Sequence, residues 1–130
     1  MGFYILVIMK VTLKKEEKVA NMIFASVYQL YLNRLEKNGK TKEELNKVIE
    51  WFTGFDNSDI QILMQEKVTF RTFFQRAKIN SNAHLIKGVV CGYRIEEIEE
   101  KFDLYKQCRR MEKLIDELAK GRKMEKILRK

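Results

Sequence analysis

Residues 24–54 hold two amphipathic helices in succession with their start and stop signals intact, and this pairing constrains the fold most. Phe24, Val27, Tyr28, Tyr31 and Leu35 recur at i, i+3, i+4, i+7 and i+11, the spacing of one helical face. Ser26 and Gln29 read as a capping box at its start, and Asn38-Gly39 as a left-handed stop. Thr41 and Glu44 form the box of the second helix. Its face is Leu45, Val48, Ile49 and Phe52, and Gly54 ends it. Period, cap and terminator agree twice in a row. That specifies a helical domain and names no reaction.

The rest of the chain is consistent with this. Its 130 residues suggest one domain, long enough to bury a core without a metal or a disulfide. Proline is absent, as suits long helices joined by glycine-terminated turns. Cys91 and Cys108 make neither a disulfide framework nor a zinc set. They read as two reduced, buried thiols in a cytoplasmic protein. The apolar run Phe3–Met9 is far shorter than the roughly 20 residues of a membrane span, and no signal peptide surrounds it.

Further helices are expected along the chain. Asp56-Asn57-Ser58 caps a short one around Ile60, Leu63 and Met64. Thr69 caps the next, with Val68 and Phe73 as a hydrophobic staple and Phe70, Phe73, Phe74 and Ala77 as its apolar face. Asn80-Ser81-Asn82 is a loop. Leu104, Cys108, Met111, Ile115 and Leu118 follow a 4-3-4-3 spacing, a coiled-coil-like seam too short to stand alone. It packs on the domain's own core and is also the surface a homodimer would use. Gly121 ends that helix, and a short one follows over 123–128. Phe3–Met9 has strand composition, and Val89–Tyr93 is the other strand-like run. A minor β-pair involving the N-terminal segment, an N-terminal extension, and a start codon placed too early all account for it. The fold class is therefore all-α, a bundle of five to seven helices.

Several blocks together resemble one family. They are Phe24-Ala25-Ser26-Val27-Tyr28, Asn38-Gly39-Lys40-Thr41-Lys42, Trp51-Phe52-Thr53-Gly54-Phe55, Gly88-Val89-Val90-Cys91-Gly92, and the stretch from Leu114 to Gly121 with Met124–Leu128. In this order they are similar to the domain-of-unknown-function 2200 family of small prokaryotic proteins, over roughly residues 22–129. The resemblance implies one domain of a bacterial cytoplasmic protein, with residues 1–20 as an extension and 21–130 as the helical domain. It brings no activity, cofactor or catalytic residue. Two departures concern helix starts: Gln29 stands where the family pattern has a proline, and the Phe102-Asp103 junction lacks one.

Net charge is +8 and uneven. Residues 1–40 carry seven basic and three acidic side chains, 41–83 balance at six and six, and 84–130 carry thirteen and nine. Lys120, Arg122, Lys123, Lys126, Arg129 and Lys130 face only Glu125 within 119–130. Such a cluster binds phosphate backbones by releasing counterions, or merely solvates the end of a helix. Arg109, Arg110, Lys120, Arg122, Lys123 and Lys126 are the contact residues of the first hypothesis. It is a non-enzymatic binding or adaptor protein for nucleic acid or an acidic partner, with no membrane association.

The alternative is a small enzyme or ligand-binding protein centred on Cys91 in Gly88–Gly92, with His84, the single histidine, as base. The resemblance does not call for a histidine at 84, and an inert buried cysteine in a tight turn is the plainer reading. Glu96, Glu97, Glu99 and Glu100 read as a solvated helix face near Lys101 and Arg94 rather than a metal site. Trp51 and Phe55 read as core aromatics rather than a docking platform. No cofactor and no metal is expected.

Overall fold

The computed structural model describes residues 10–130. Seven α-helices lie in this range: α1 (Leu13–Ala20), α2 (Phe24–Lys37), α3 (Lys42–Thr53), α4 (Asn57–Gln65), α5 (Phe70–Arg76), α6 (Asp103–Ala119) and α7 (Met124–Ile127). Between α5 and α6 the chain makes a two-stranded antiparallel hairpin, β1 (Val89–Val90) and β2 (Tyr93–Arg94), flanked by short 3-10 turns. Val90 faces Tyr93 and Val89 faces Arg94 in its register. The bundle is thus all-α with one minor β-pair. The Phe3–Met9 run and any share it has in a β-pair lie outside the described residues. Helix α1 falls on the N-terminal side of the expected boundary at residue 20. Its N-terminus is capped by Thr12, and the helix packs against α5 and α6.

Most local signals act where the sequence puts them. The Thr41 hydroxyl accepts from the Glu44 N–H at 3.1 Å, and Glu44 Oε1 accepts from the Thr41 N–H at 2.9 Å. Asp56 and Asp59 form the same reciprocal box on α4. Thr69 caps α5, and Val68 and Phe73 are both buried beside it. Gly39, at φ +75°, lets the Lys40 N–H reach back to the Leu35 carbonyl at 2.8 Å and close α2.

The start of α2 differs from the expected one. The helix begins at Phe24, so Ser26 and Gln29 already lie inside its first turns and make no cap. Its leading amide is satisfied from across the fold instead. The Phe24 N–H donates to the Val68 carbonyl at 2.9 Å, and the Phe70 N–H donates to the Met22 carbonyl at 2.9 Å. The reason is burial: Phe24 is fully enclosed, stacked on Phe73 at 4.3 Å and edge-on to Phe70. Enclosing one such ring contributes about 1.5–3 kcal/mol, more than the roughly 1 kcal/mol of a serine cap.

Helix α6 runs through the centre, contacting α1, α2, α3, α5, α7 and β1. Met111, Leu114, Ile115 and Leu118 are enclosed, and Cys108 is buried with them. The 4-3-4-3 seam is therefore spent inside the chain's own core; Leu104 is only half-buried, and Tyr105 and Leu114 take inward positions beside the seam. Phe55 is buried and Trp51 is half-buried against the same core. Tyr93, Ile98, Phe102 and Tyr105 form a second, smaller cluster under the hairpin. No helix among the described residues is long and apolar enough to cross a membrane.

Candidate functional site

The six basic residues singled out in the sequence do not share one environment. Arg109 and Arg110 turn into the protein. Arg109 donates to Glu112 at 2.6 Å and to the Tyr105 hydroxyl at 2.7 Å, and its guanidinium lies over the Tyr93 and Tyr105 rings. Arg110 is half-buried, reaches Gln107 at 3.3 Å, and leaves its Nε without a partner. Neither is a free surface charge.

Lys120 and Arg122 are exposed but paired. Lys120 meets Asp116 at 3.1 Å, and Asp116 also accepts from Arg34 at 2.7 Å. Burial alone would raise the Asp116 carboxyl, but the bonds from Arg34 and Lys120 hold it below its ordinary value. Arg122 donates to Glu117 at 3.0 Å. Lys123 and Lys126 remain exposed and make no ion pair among the described residues.

Lys123 does not stand alone. The segment after Gly121 folds back against α6, and its Lys123 and Lys130 line one open groove of about 380 Å³ together with Lys47 of α3. Met124 and Leu128 supply its apolar wall, and Glu125 its one acidic side chain. Among the described residues none of the three lysines is ion-paired. Lys47 carries no signal in the sequence, being one more polar residue on the outer face of an amphipathic helix.

The second constellation surrounds the hairpin. Cys91 and Gly92 are its two turn residues, at φ +50° and +82°, the left-handed pair that a tight hairpin turn requires. Cysteine rarely adopts such a φ. Cys91 is exposed, which corrects the expectation of a buried thiol, whereas Cys108 is buried as expected. The Cys91 thiol donates to Glu112 Oε1, and Glu112 in turn holds Arg109. Lys113 reaches the Val89 carbonyl at 3.3 Å and ties the hairpin to α6.

His84 is not the partner of this thiol. Its Nδ1 lies 2.9 Å from the Ser81 carbonyl, and the group at the sulfur is Glu112, twenty-one residues along the chain from Cys91. Partial burial and the neighbouring Glu112 carboxylate push the Cys91 thiol above its ordinary value. Burial pushes Cys108 up to about 12. Both sulfurs are thus protonated at neutral pH, and the thiolate is the reactive form.

Glu96, Glu97 and Glu100 lie on two 3-10 turns, with Glu99 just before the second, rather than on the expected helix face. Glu96 accepts from the Gly88 N–H at 2.9 Å, and that bond holds its carboxyl below the usual range. Glu99 pairs with Lys101 at 3.6 Å, and Glu100 with the buried Lys106 at 2.6 Å. Among the described residues, no group of three or more His, Cys, Asp or Glu side chains is placed to hold a metal ion.

Comparison with known proteins agrees with the fold and supplies no activity. The crystal structure of the uncharacterized protein SP1917 is similar, with a TM-score of 0.80 and 36% sequence identity over 86% of this chain and 91% of that one. No curated protein matches the chain significantly. The model of a family described as an uncharacterized protein conserved in bacteria, DUF2200, matches residues 18–129, and the chain belongs to that family.

Proposed function

We propose that this protein is a non-enzymatic binding protein that takes the phosphate backbone of nucleic acid in the groove between α3 and the C-terminal segment. One observation carries the reading: Lys47, Lys123 and Lys130 come from two distant stretches of chain to line one groove, unpaired among the described residues. Most of the other basic residues considered above are neutralised at home by Glu112, Asp116 or Glu117. The groove holds no aromatic ring on which a base would stack and no amide side chain to read a base edge. Its contacts are sequence-independent, and Lys126 adds to the surrounding field.

The test is fluorescence anisotropy with a short DNA duplex and a single strand across a salt series. The log–log slope becomes shallower by about 0.9 for each duplex phosphate that a variant no longer neutralises. Lys47→Ala and Lys123→Ala each weaken binding and flatten the slope if the groove is the site. Polyglutamate that competes as well as the duplex points to an acidic protein partner instead. No binding at low salt ends the proposal.

A second reading has one specific observation behind it, the exposed Cys91 thiol with the Glu112 carboxylate at its sulfur. In that reading Cys91 is a nucleophile and Glu112 takes its proton. Fast alkylation of Cys91 near neutral pH, lost in Glu112→Gln, supports it. Alkylation confined to alkaline pH leaves Cys91 a turn residue.

A further inference from the structure

We infer that Glu117 is the positioning residue of the basic groove, an inference that rests on the reading of that groove as a phosphate site. The last ten residues of the chain contain a helix of a single turn, α7, and are held to the core by Ile127 and Leu128, with Met124 packed beside them. Glu117, on α6, has a nearly buried side chain, at 8% exposure. Its carboxylate accepts from Arg122 at 3.0 Å and from both terminal guanidinium nitrogens of Arg129 at 2.7 and 2.8 Å. One carboxylate therefore closes a loop between two arginines seven positions apart. A second tie, from Asn82 Nδ2 to the Arg129 carbonyl at 3.1 Å, fixes the far end of the loop.

The sequence around these arginines completes the device. Each is followed at once by a lysine, Arg122 by Lys123 and Arg129 by Lys130. Arg129 turns inward to Glu117, the exposed Arg122 donates to the same carboxylate, and both following lysines line the groove with Lys47. The pair of arginines on Glu117 sets the direction of the two lysines. Glu117 touches no groove residue's ammonium group, so it acts through the two arginines. Through them it aims the ammonium groups of Lys123 and Lys130 beside that of Lys47 on α3 before any ligand arrives, which spares the ligand part of their ordering.

Charge separates positioning from simple attraction. Glu117→Gln raises the formal net charge from +8 to +9. Long-range electrostatics alone then predicts tighter binding to a polyanion. Loss of positioning predicts weaker binding.

The experiment measures anisotropy with a labelled short DNA duplex across a salt series, and amide exchange over residues 121–130. The proteins are the wild type, Glu117→Gln, Glu117→Asp, Asn82→Ala, and the Lys47→Ala/Lys123→Ala pair. The expected result is that Glu117→Gln binds several-fold more weakly despite its added charge. Its salt slope is shallower by about one to two, and the amides of 121–130 lose protection. Glu117→Asp recovers part of the affinity. Asn82→Ala, which removes no charge, shifts affinity the same way by less, and it stands as the test should Glu117→Gln not fold. Binding by Glu117→Gln, or by Asn82→Ala in its place, at or above wild-type strength overturns the inference. Should the lysine pair weaken binding while the Glu117 and Asn82 variants do not, the groove stands and its positioning residue falls. Should the lysine pair have no effect, the groove reading fails, and this inference with it.

Discussion

Glu117 and Arg129 lie twelve residues apart and meet through two hydrogen bonds of 2.7 and 2.8 Å, with side chains only 8% and 13% exposed. An ion pair this enclosed is costly to break from one side, because the partner stays behind as a buried, unpaired charge. Glu117→Ala strands Arg129 and releases Arg122, and is expected to cost about 3 kcal/mol. Lys120→Ala removes only an exposed contact to Asp116 and is expected to cost under about 1 kcal/mol. Urea unfolding of the two variants measures the difference. Equal, small losses would show that the C-terminal segment is not anchored by this pair.

The helix starts separate a real cap from an apparent one. Thr41→Ala removes a reciprocal capping box and is expected to cost about 1 kcal/mol. Ser26→Ala leaves the start of α2 untouched, since that start is held by the Val68 carbonyl, and is expected to change stability by less than about 0.5 kcal/mol. Thermal or denaturant unfolding distinguishes them. A larger loss for Ser26→Ala than for Thr41→Ala would contradict the structure of both helix ends.

At the hairpin, the Glu112 charge acts on a thiol already raised by partial burial. Glu112→Gln removes the negative charge that favours the protonated sulfur and leaves a neutral amide, a weaker acceptor whose NH2 can donate to the thiolate. The Cys91 pKa then falls, and alkylation at neutral pH speeds up several-fold as the thiolate fraction grows. The rate of iodoacetamide labelling against pH reads this directly. Should labelling slow in the variant, Glu112 is promoting the reactivity of Cys91, as the second functional reading requires.

Asp116 links stability to acid. Its folded carboxyl lies below the ordinary 3.8 because Arg34 and Lys120 together outweigh the effect of burial. A carboxyl depressed on folding adds stability above its unfolded value, and that contribution is lost as pH falls through the lower, folded one. Unfolding free energies measured between neutral pH and the acid limit are therefore expected to fall more steeply for the wild type than for Asp116→Asn below about pH 4. Parallel curves would remove Asp116 as a source of the acid dependence.

Much of the helical frame was legible because its signals are local. Thr41 meets Glu44 one turn away, and Gly39 and Gly54 hold left-handed turns that a side chain would strain. The 4-3-4-3 spacing of Leu104, Cys108, Met111, Ile115 and Leu118 identified the inward face of α6 without reference to any partner, though Leu104 at its start is only half-buried. Local signals misled at Ser26, where a plausible cap lost to a long-range backbone bond. They misled again at Cys91, whose carboxylate partner is supplied by another element.

What the sequence by itself determined is the all-α class, most of the caps and terminators, the core stripe and the basic end, since each depends on residues within a few turns of one another. What only the tertiary structure decided is the fate of each charge. Arg109 and Lys123 are equivalent in composition, yet one is enclosed against Glu112 and Tyr105 and the other lines an open groove with Lys47. The physical reason is that a side chain's electrostatic role depends on its desolvation and on partners many residues away, and packing brings both about at once.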